Sequence, residues 1–227
     1  MTLDFTPFFE EYEKLLAETD KVFAAIEEKF PDCVKCEIGC DDCCHAMFDL
    51  TVVEALYINH HFNRLVPETE KGAILERANR ADRKAYQVKK EAFQASAKGK
   101  DTDEVLSRVA WERVRCPLLD DEGKCLLYEY RPATCRLYGI PTAIGGKGHT
   151  CGKSGFEEGE AYPTVHMEAI QKRLFDISDR LVQSLRTKHV RMAELLVPLS
   201  MALLTVYDDE YLGIIRPGEE KQDDKSE

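Results

Sequence analysis

The hydrophobic residues of this chain recur mainly at helical spacing. Aromatic and aliphatic side chains three or four positions apart over residues 4–30 predict an amphipathic helix. A T-x-x-E pattern at Thr51 and Glu54 is typical of a capping box and predicts a second helix that runs to about Leu65. Residues 68–98 are rich in Ala, Lys, Glu and Arg, which predicts one long, well-solvated helix.

Helical signals continue in the second half of the chain. The turn GKDTD precedes a shorter predicted helix that ends near Val114. Apolar residues share a helical face over residues 163–187 and again over residues 190–206, where Pro198 is expected to kink the helix or to start a new segment. Together these patterns predict a mainly α fold.

Two irregular, cysteine-rich regions interrupt the helices, and we expect them to meet at a metal site. Residues 33–44 fit either a short helix or a tight knuckle at Gly39. Residues 116–128 predict a small β-hairpin with the turn DDEG, followed by a helical turn and a glycine-rich stretch. With neither an internal repeat nor an obvious linker, we predict a single helical domain over residues 1–216 and a disordered acidic tail at 217–227.

Charge and hydropathy argue against several partners. The net charge of −11 disfavours binding to nucleic-acid phosphates, and acidic residues are interleaved with the lysines of residues 84–100. No apolar run approaches the roughly 20 residues of a membrane span. The acidic, amphipathic N-terminus lacks the features of a secretory signal. We therefore predict a cytoplasmic protein that binds neither nucleic acid nor membrane.

Nine cysteines make up the most unusual feature, and five of them fall within residues 33–44. In a reducing compartment, such a cluster is more often metal-binding or catalytic than cross-linked by disulfides. Thiolates are soft ligands that select zinc, copper(I) or iron–sulfur clusters. Cys33 lies outside the tightest spacing and is interpreted as a small buried hydrophobic residue. The predicted metal ligands are Cys36, Cys40, Cys43, Cys44, Cys116, Cys125, Cys135 and Cys151.

The arrangement of these ligands stays open at this point. Eight sulfurs leave room for two four-ligand centres or for one centre with spare thiols. Adjacent Cys43 and Cys44 point to opposite faces if the backbone is extended, so they either serve different metals or only one of them ligates. A buried thiolate centre needs compensating positive charge, and the predicted cofactor-binding residues Arg131, Arg136 and His149 stand close to cysteines in the sequence.

Whether the protein is an enzyme is not indicated by the sequence. No nucleophile–base pair and no paired carboxylates stand out, and Asp41 and Asp42 are interpreted as part of a solvated loop. His60 and His61 lie on a predicted helix without an H-E-x-x-H pattern, so they are interpreted as surface residues. No residue is therefore assigned a catalytic role.

Several short motifs together resemble a known family. They are Cys36-x3-Cys40-x2-Cys43-Cys44, Cys116-Pro117-Leu118, Gly123-Lys124-Cys125, Tyr128 and Arg131-Pro132-x2-Cys135-Arg136. The combination resembles the CxxCxxCC, or YkgJ-like, family of zinc- or iron-chelating proteins. Two features depart from the family pattern: three residues separate Cys36 from Cys40, where two are usual, and Cys33 is additional.

The resemblance implies metal chelation, with iron–sulfur clusters and zinc both proposed for the family. Because of the number and softness of the sulfur ligands, we expect an iron–sulfur protein of the 4Fe-4S type with a redox or electron-transfer role and a protein redox partner. The alternative is a zinc-binding structural or zinc-handling module. Flagellin lysine-N-methylase has a similar cysteine region, so protein lysine methylation with S-adenosylmethionine is a remote alternative. Against it, the sequence shows no separate methyl-donor domain and no G-x-G-x-x-G after a strand.

Overall fold

Helices form most of the regular structure in the computed structural model, which describes residues 3–37 and 39–216. The prediction of a mainly α fold is confirmed. The predicted disordered tail, 217–227, lies outside the described residues. In chain order, the helices are α1 (Thr6–Lys29), α2 (Val52–Leu65), α3 (Glu68–Ala97), α4 (Thr102–Trp111), α5 (Ala133–Leu137), α6 (Met167–Ser184) and α7 (Leu199–Leu204).

Local capping explains where two of these helices begin. The backbone N–H of Thr51 donates to Oε2 of Glu54 over 3.0 Å, and both halves of the predicted capping box are present at the start of α2. The carboxylate of Asp101 accepts from the backbone N–H of Glu104 over 3.0 Å at the start of α4. The sequence signals for these helix starts are therefore confirmed.

The last predicted helix is wrong in its first half. Before α7, residues 190–206 form only a short 3₁₀ turn, Met192–Glu194, and a two-residue strand, Val197–Pro198. Pro198 has no N–H to donate and holds an extended conformation immediately before α7, where it acts as the N-cap residue. The alternative that Pro198 starts a new segment is the correct one.

In the described part of the chain, five short strands tie the loops together. They are β1 (Asp49–Leu50), β2 (Thr142–Ile144), β3 (Lys147–His149), β4 (Val165–His166) and β5 (Val197–Pro198). Strand β1 pairs antiparallel with β5, while β2 pairs antiparallel with β3 and parallel with β4. Gly145 and Gly146 join β2 to β3 with φ angles of 59° and 75°, a left-handed turn that glycine adopts without strain.

Helix α2 lies between two apolar cores. One core joins α2 to α1 and α6 through Tyr12, Leu15, Val53, Leu56, Ile177 and Leu181. The other joins α2 to α3 and α7 through Ile58, Phe62, Ile74, Ala78, Ala202 and Leu203. None of the described helices is both long enough and apolar enough to cross a membrane.

The two apolar cores cover both sides of α2, so the prediction that His61 is a surface residue is wrong. His61 is buried, and its ring stacks on that of Tyr130 with centroids 3.7 Å apart. Burial lowers the pKa of His61 to about 4, so the ring is neutral near pH 7. His60, the next residue towards the N-terminus, is exposed as predicted.

Candidate metal centre

Five cysteines from two distant parts of the chain line one cavity of about 170 Å³. We call them the inner cysteine group: Cys43, Cys44, Cys116, Cys125 and Cys135. Two come from the first cysteine-rich region and three from the second. The structure thus brings together five of the eight predicted ligands at one place.

Backbone hydrogen bonds join the two cysteine-rich regions directly. Cys43 and Cys44 lie in a 3₁₀ turn, Asp42–His45, rather than in a regular α-helix. The N–H of Cys116 donates to the carbonyl of Cys44 over 2.7 Å, and the N–H of Val114 donates to the carbonyl of His45 over 2.9 Å. These bonds hold the adjacent cysteines against the segment that carries Cys116.

The predicted hairpin after Cys116 exists as a tight turn with one β-bridge between Leu119 and Cys125. The N–H of Asp120 donates to the carbonyl of Lys124 over 2.9 Å, and Gly123 adopts a φ of 79° that favours glycine. This turn brings the chain back on itself, so that Cys116 and Cys125 line the same cavity.

The three predicted cofactor-binding residues lie in different surroundings. Arg131 lines the cavity, and its guanidinium stacks over the ring of Tyr128 at 3.9 Å. Arg136 is buried and pairs with Asp20 of α1, while it also donates to two backbone carbonyls of its own segment. His149 lies exposed on β3. Only Arg131 is therefore a wall residue of the cavity.

The remaining predicted ligands form a second set, the outer cysteine group: Cys36, Cys40 and Cys151. The N–H of Gly155 donates to the carbonyl of Cys33 over 2.8 Å, which holds the segment after Cys151 against the first cysteine-rich region. The sulfur of Cys36 packs on Gly139, where an added Cβ atom would lie 2.1 Å from it. A glycine at position 139 is thus required for Cys36 to occupy this place.

Asp42, which the sequence places in a solvated loop, contacts the outer cysteine group through Cys151. Oδ2 of Asp42 accepts from the thiol of Cys151 over 3.4 Å and from the hydroxyl of Tyr138 over 3.1 Å. Oδ1 of Asp42 accepts from the guanidinium of Arg113 over 2.7 Å. Burial acts to raise the pKa of Asp42, but these hydrogen bonds and the charge of Arg113 together lower it. Asp42 is thus a bonded carboxylate rather than part of a solvated loop.

The comparison with protein families decides what this arrangement of cysteines is. Residues 33–152, more than half of the chain, match the CxxCxxCC family model, which is described as "Putative zinc- or iron-chelating domain". The chain belongs to the CxxCxxCC family. No curated protein and no solved structure matches the chain. All nine cysteines of this CxxCxxCC protein lie within the matched residues.

Protonation differs between the two adjacent cysteines of the CxxCxxCC domain. A hydrogen bond from the thiol of Cys44 lowers the pKa of Cys43 to about 7, and the charge of Arg131 acts in the same direction. The pKa of Cys44 is raised, first because its thiol donates this bond and then because it is buried. Cys43 is therefore the thiol of this pair that loses its proton first.

The other inner thiols hold their protons more strongly. Burial raises the pKa of Cys116 to about 12 and that of Cys135 well above its ordinary value. A bound metal cation reverses this effect, because it replaces the proton and neutralises the thiolate. Metal binding to the inner cysteine group must therefore release protons.

The donor set of the CxxCxxCC domain fits a soft metal. Sulfur is the donor that zinc–thiolate and iron–sulfur sites prefer, and the described wall of the cavity contains five thiols and no imidazole. Among residues 3–37 and 39–216, however, no three Cys, His, Asp or Glu side chains stand in a geometry that could hold a metal ion.

Proposed function

We propose that this CxxCxxCC protein holds an iron–sulfur cluster of the 4Fe-4S type and has a redox or electron-transfer role. The observation that carries the proposal is the inner cysteine group, in which five thiols share one cavity with Arg131. A 4Fe-4S cluster takes four cysteine thiolates, so the inner cysteine group supplies a full set with one thiol to spare.

The assignment of ligands follows from the two groups. We assign the cluster to four of the inner cysteines, and the predicted ligand roles of Cys36, Cys40 and Cys151 then require a second centre beside Asp42. Cys43 is close enough to Cys36, and also to Cys116, for its charge to raise the pKa of both thiols. Cys43 is therefore the residue through which the two groups would influence each other.

The protein's own residues tune such a centre through charge and burial. Four thiolates around a cluster carry net negative charge, which the guanidinium of Arg131 offsets at the cavity wall. Arg136 donates to the carbonyls of Glu129 and Arg131 and so fixes the loop that carries Arg131. When bound, the cluster supplies one-electron transfer. A partner protein is then needed, and a net charge of −11 favours a partner with a basic docking face.

A zinc site is the second candidate, because the family description names zinc as well as iron. Four thiolates also satisfy the tetrahedral coordination of structural zinc. Zinc in the inner cysteine group would bind the turn at 116–125 to the 3₁₀ turn at 42–45 and would act as a structural cross-link. Arg131 would offset charge in the same way as for the cluster.

The deciding experiment is elemental analysis of protein purified without oxygen. Iron with a matching amount of acid-labile sulfide is the expected result, together with a visible absorption band that bleaches on reduction. Zinc with neither iron nor sulfide would overturn the redox proposal in favour of the structural site. The reconstituted protein serves as a check that the cluster was not lost during purification.

A further inference from the structure

We infer that the outer face of helix α3 is a docking surface for an acidic, amphipathic helix of a partner protein. The surface consists of Arg83, Tyr86, Lys90 and Phe93, which we call the α3 outer stripe. These four residues are not part of the described wall of the inner cysteine cavity. The inference therefore goes beyond the proposed function and does not depend on which metal the cysteines hold.

The spacing of the α3 outer stripe places its residues on one face of the helix. They follow one another at intervals of three, four and three positions, and residues three or four apart are neighbours on a helix surface. All four are exposed. The opposite face of α3 is buried through Ile74, Ala78, Ala81 and Ala85. Helix α3 is thus packed on the protein by one side and presents the α3 outer stripe to solvent on the other.

Two large aromatic rings lie in the α3 outer stripe and are open to solvent. The side chain of Tyr86 is 66% exposed and that of Phe93 is 75% exposed. A single exposed apolar residue is ordinary on a protein surface, but two rings on one helix face form a patch. Aromatic residues are enriched at interfaces between proteins, where they bury a large area. The two rings are therefore suited to act as anchors for a partner.

The two cations of the α3 outer stripe are free to pair with a partner. Within residues 3–37 and 39–216, no ion pair or hydrogen bond engages the side chain of Arg83 or Lys90. Their neighbour Lys89 differs, because its Nζ lies 2.6 Å from the carboxylate of Asp49. The stripe thus carries two positive charges that the described part of the chain does not neutralise.

The charge of the α3 outer stripe determines the charge of the partner. Glu91 leaves the stripe without a carboxylate of its own, because it pairs with Arg108 of α4 over 3.3 Å. Arg83 and Lys90 are seven positions apart, which is about 10.5 Å along a helix axis. Carboxylates at the same interval on a second helix would face both cations, and apolar residues between them would cover the rings. An acidic, amphipathic helix matches both properties of the stripe.

Nucleic acid and membrane surfaces fit the α3 outer stripe less well. Two cations release few counterions from a phosphate backbone, and the whole chain carries a net charge of −11. A helix that lies in a membrane surface needs a broad apolar face, whereas the apolar face of α3 is packed against the rest of the protein. A protein partner is therefore the better match.

The test is a fluorescence titration of the full chain with a labelled, amphipathic helical peptide that has glutamates seven positions apart and leucines between them. We expect saturable binding that weakens at high salt, because exposed charge pairs are screened. A matched peptide with glutamine in place of glutamate should bind about tenfold more weakly. Absence of binding, or equal binding of the two peptides, would overturn the inference.

Substitutions on α3 show where the peptide binds. Phe93→Ala should weaken binding about tenfold, a loss typical of an interface anchor. Arg83→Gln should also weaken it, whereas Arg80→Gln is the matched control, since Arg80 is exposed on the same helix outside the stripe and pairs with Glu76. Equal losses in the two arginine variants would show that only net charge matters and would refute the docking surface.

The other possible occupants are tested with the same variants. Tighter binding of single-stranded oligothymidylate or of phosphatidylserine vesicles than of the acidic peptide, with the same sensitivity to Phe93→Ala, would assign the α3 outer stripe to that class of partner. Sedimentation of the chain alone tests self-association, and a dimer that Phe93→Ala dissociates would make a second copy the occupant. Each of these results would overturn the inference.

Discussion

The inner and outer cysteine groups are built from the same residue type but differ in their surroundings. The inner cysteine group lines a cavity with apolar walls, and Cys135 at its centre is buried enough for its pKa to lie well above the ordinary value. In the outer cysteine group, Cys151 donates to the bonded carboxylate of Asp42, and Cys36 is exposed although its sulfur packs on Gly139.

This difference teaches that one cysteine motif can supply two chemical environments. The inner environment places five thiols in one cavity whose wall is mostly apolar, which suits a metal centre. The outer environment places a carboxylate, a hydroxyl and a guanidinium beside the thiol of Cys151. Cys43 connects the two environments, because its charge acts on Cys36 of the outer cysteine group and on Cys116 of the inner cysteine group.

Replacing a buried inner cysteine should have the largest effect. We expect Cys135→Ser to weaken metal binding strongly, since it removes a thiol on which the charges of Cys43, Cys116 and Cys125 all act and leaves the inner cysteine group with no spare thiol. Metal binding at small thiolate sites contributes on the order of 10 kcal/mol to folding, so the free energy of unfolding should fall by several kcal/mol. Metal per chain and chemical denaturation measure the two quantities.

Cys36→Ser is the matched substitution in the outer cysteine group, and Cys33→Ser controls for the loss of any thiol. We expect both variants to retain the metal of the inner cysteine group and most of the stability. Equal loss of metal in Cys36→Ser and Cys135→Ser would show that the two groups form one centre, and the division between them would fail.

Removing the charge of Asp42 should have an intermediate effect that is confined to the outer cysteine group. Asp42→Asn weakens the bonds from Arg113, Tyr138 and Cys151, and we expect the free energy of unfolding to fall by about 1–2 kcal/mol. Metal content at the inner cysteine group should not change. A large loss of metal in Asp42→Asn would mean that this carboxylate, too, serves the inner centre.

Sequence patterns were sufficient for the parts of the fold that depend on local interactions. The capping box at Thr51 and Glu54 and the long α3 each follow from residues close together in the chain. The wrong prediction of a helix over residues 190–206 has a local cause as well. Pro198 stands between two apolar runs and precedes α7 as its N-cap residue, so the two runs do not form one continuous helix. The single domain over residues 1–216 stays a prediction.

The candidate site could be predicted only in part. The spacing of the cysteines predicts metal ligands. It does not predict which of them belong to the inner and which to the outer cysteine group, because that depends on contacts between residues far apart in the chain. Asp42 and Arg113 are 71 positions apart, and nothing in the local sequence links them. Gly139 likewise gives no signal of its packing against Cys36. His61 was misread since burial on both sides of α2 is a tertiary property.

The smallest expected effect is a dependence of stability on pH, which should differ between the inner and the outer cysteine group. In the metal-free protein, burial raises the pKa of Cys116 to about 12 and that of Cys36 to about 11. An unfolded cysteine titrates near pH 8.5. Above about pH 8.5 the folded state keeps protons that the unfolded state has lost, so stability falls as pH rises towards the folded pKa values.

Metal loading should remove the part of this decline that comes from the inner cysteine group. Thiolates bound to metal no longer titrate in this range, whereas Cys36 still does if the outer cysteine group is free. Melting temperatures between about pH 8 and pH 10 should therefore fall steeply without metal and shallowly with it. Cys36→Ser should reduce the shallow remainder, to which Cys151 also contributes because burial raises its pKa. If the melting temperature of the metal-loaded wild-type protein does not fall over this pH range, Cys36 is itself a ligand, and the outer cysteine group belongs to a metal centre.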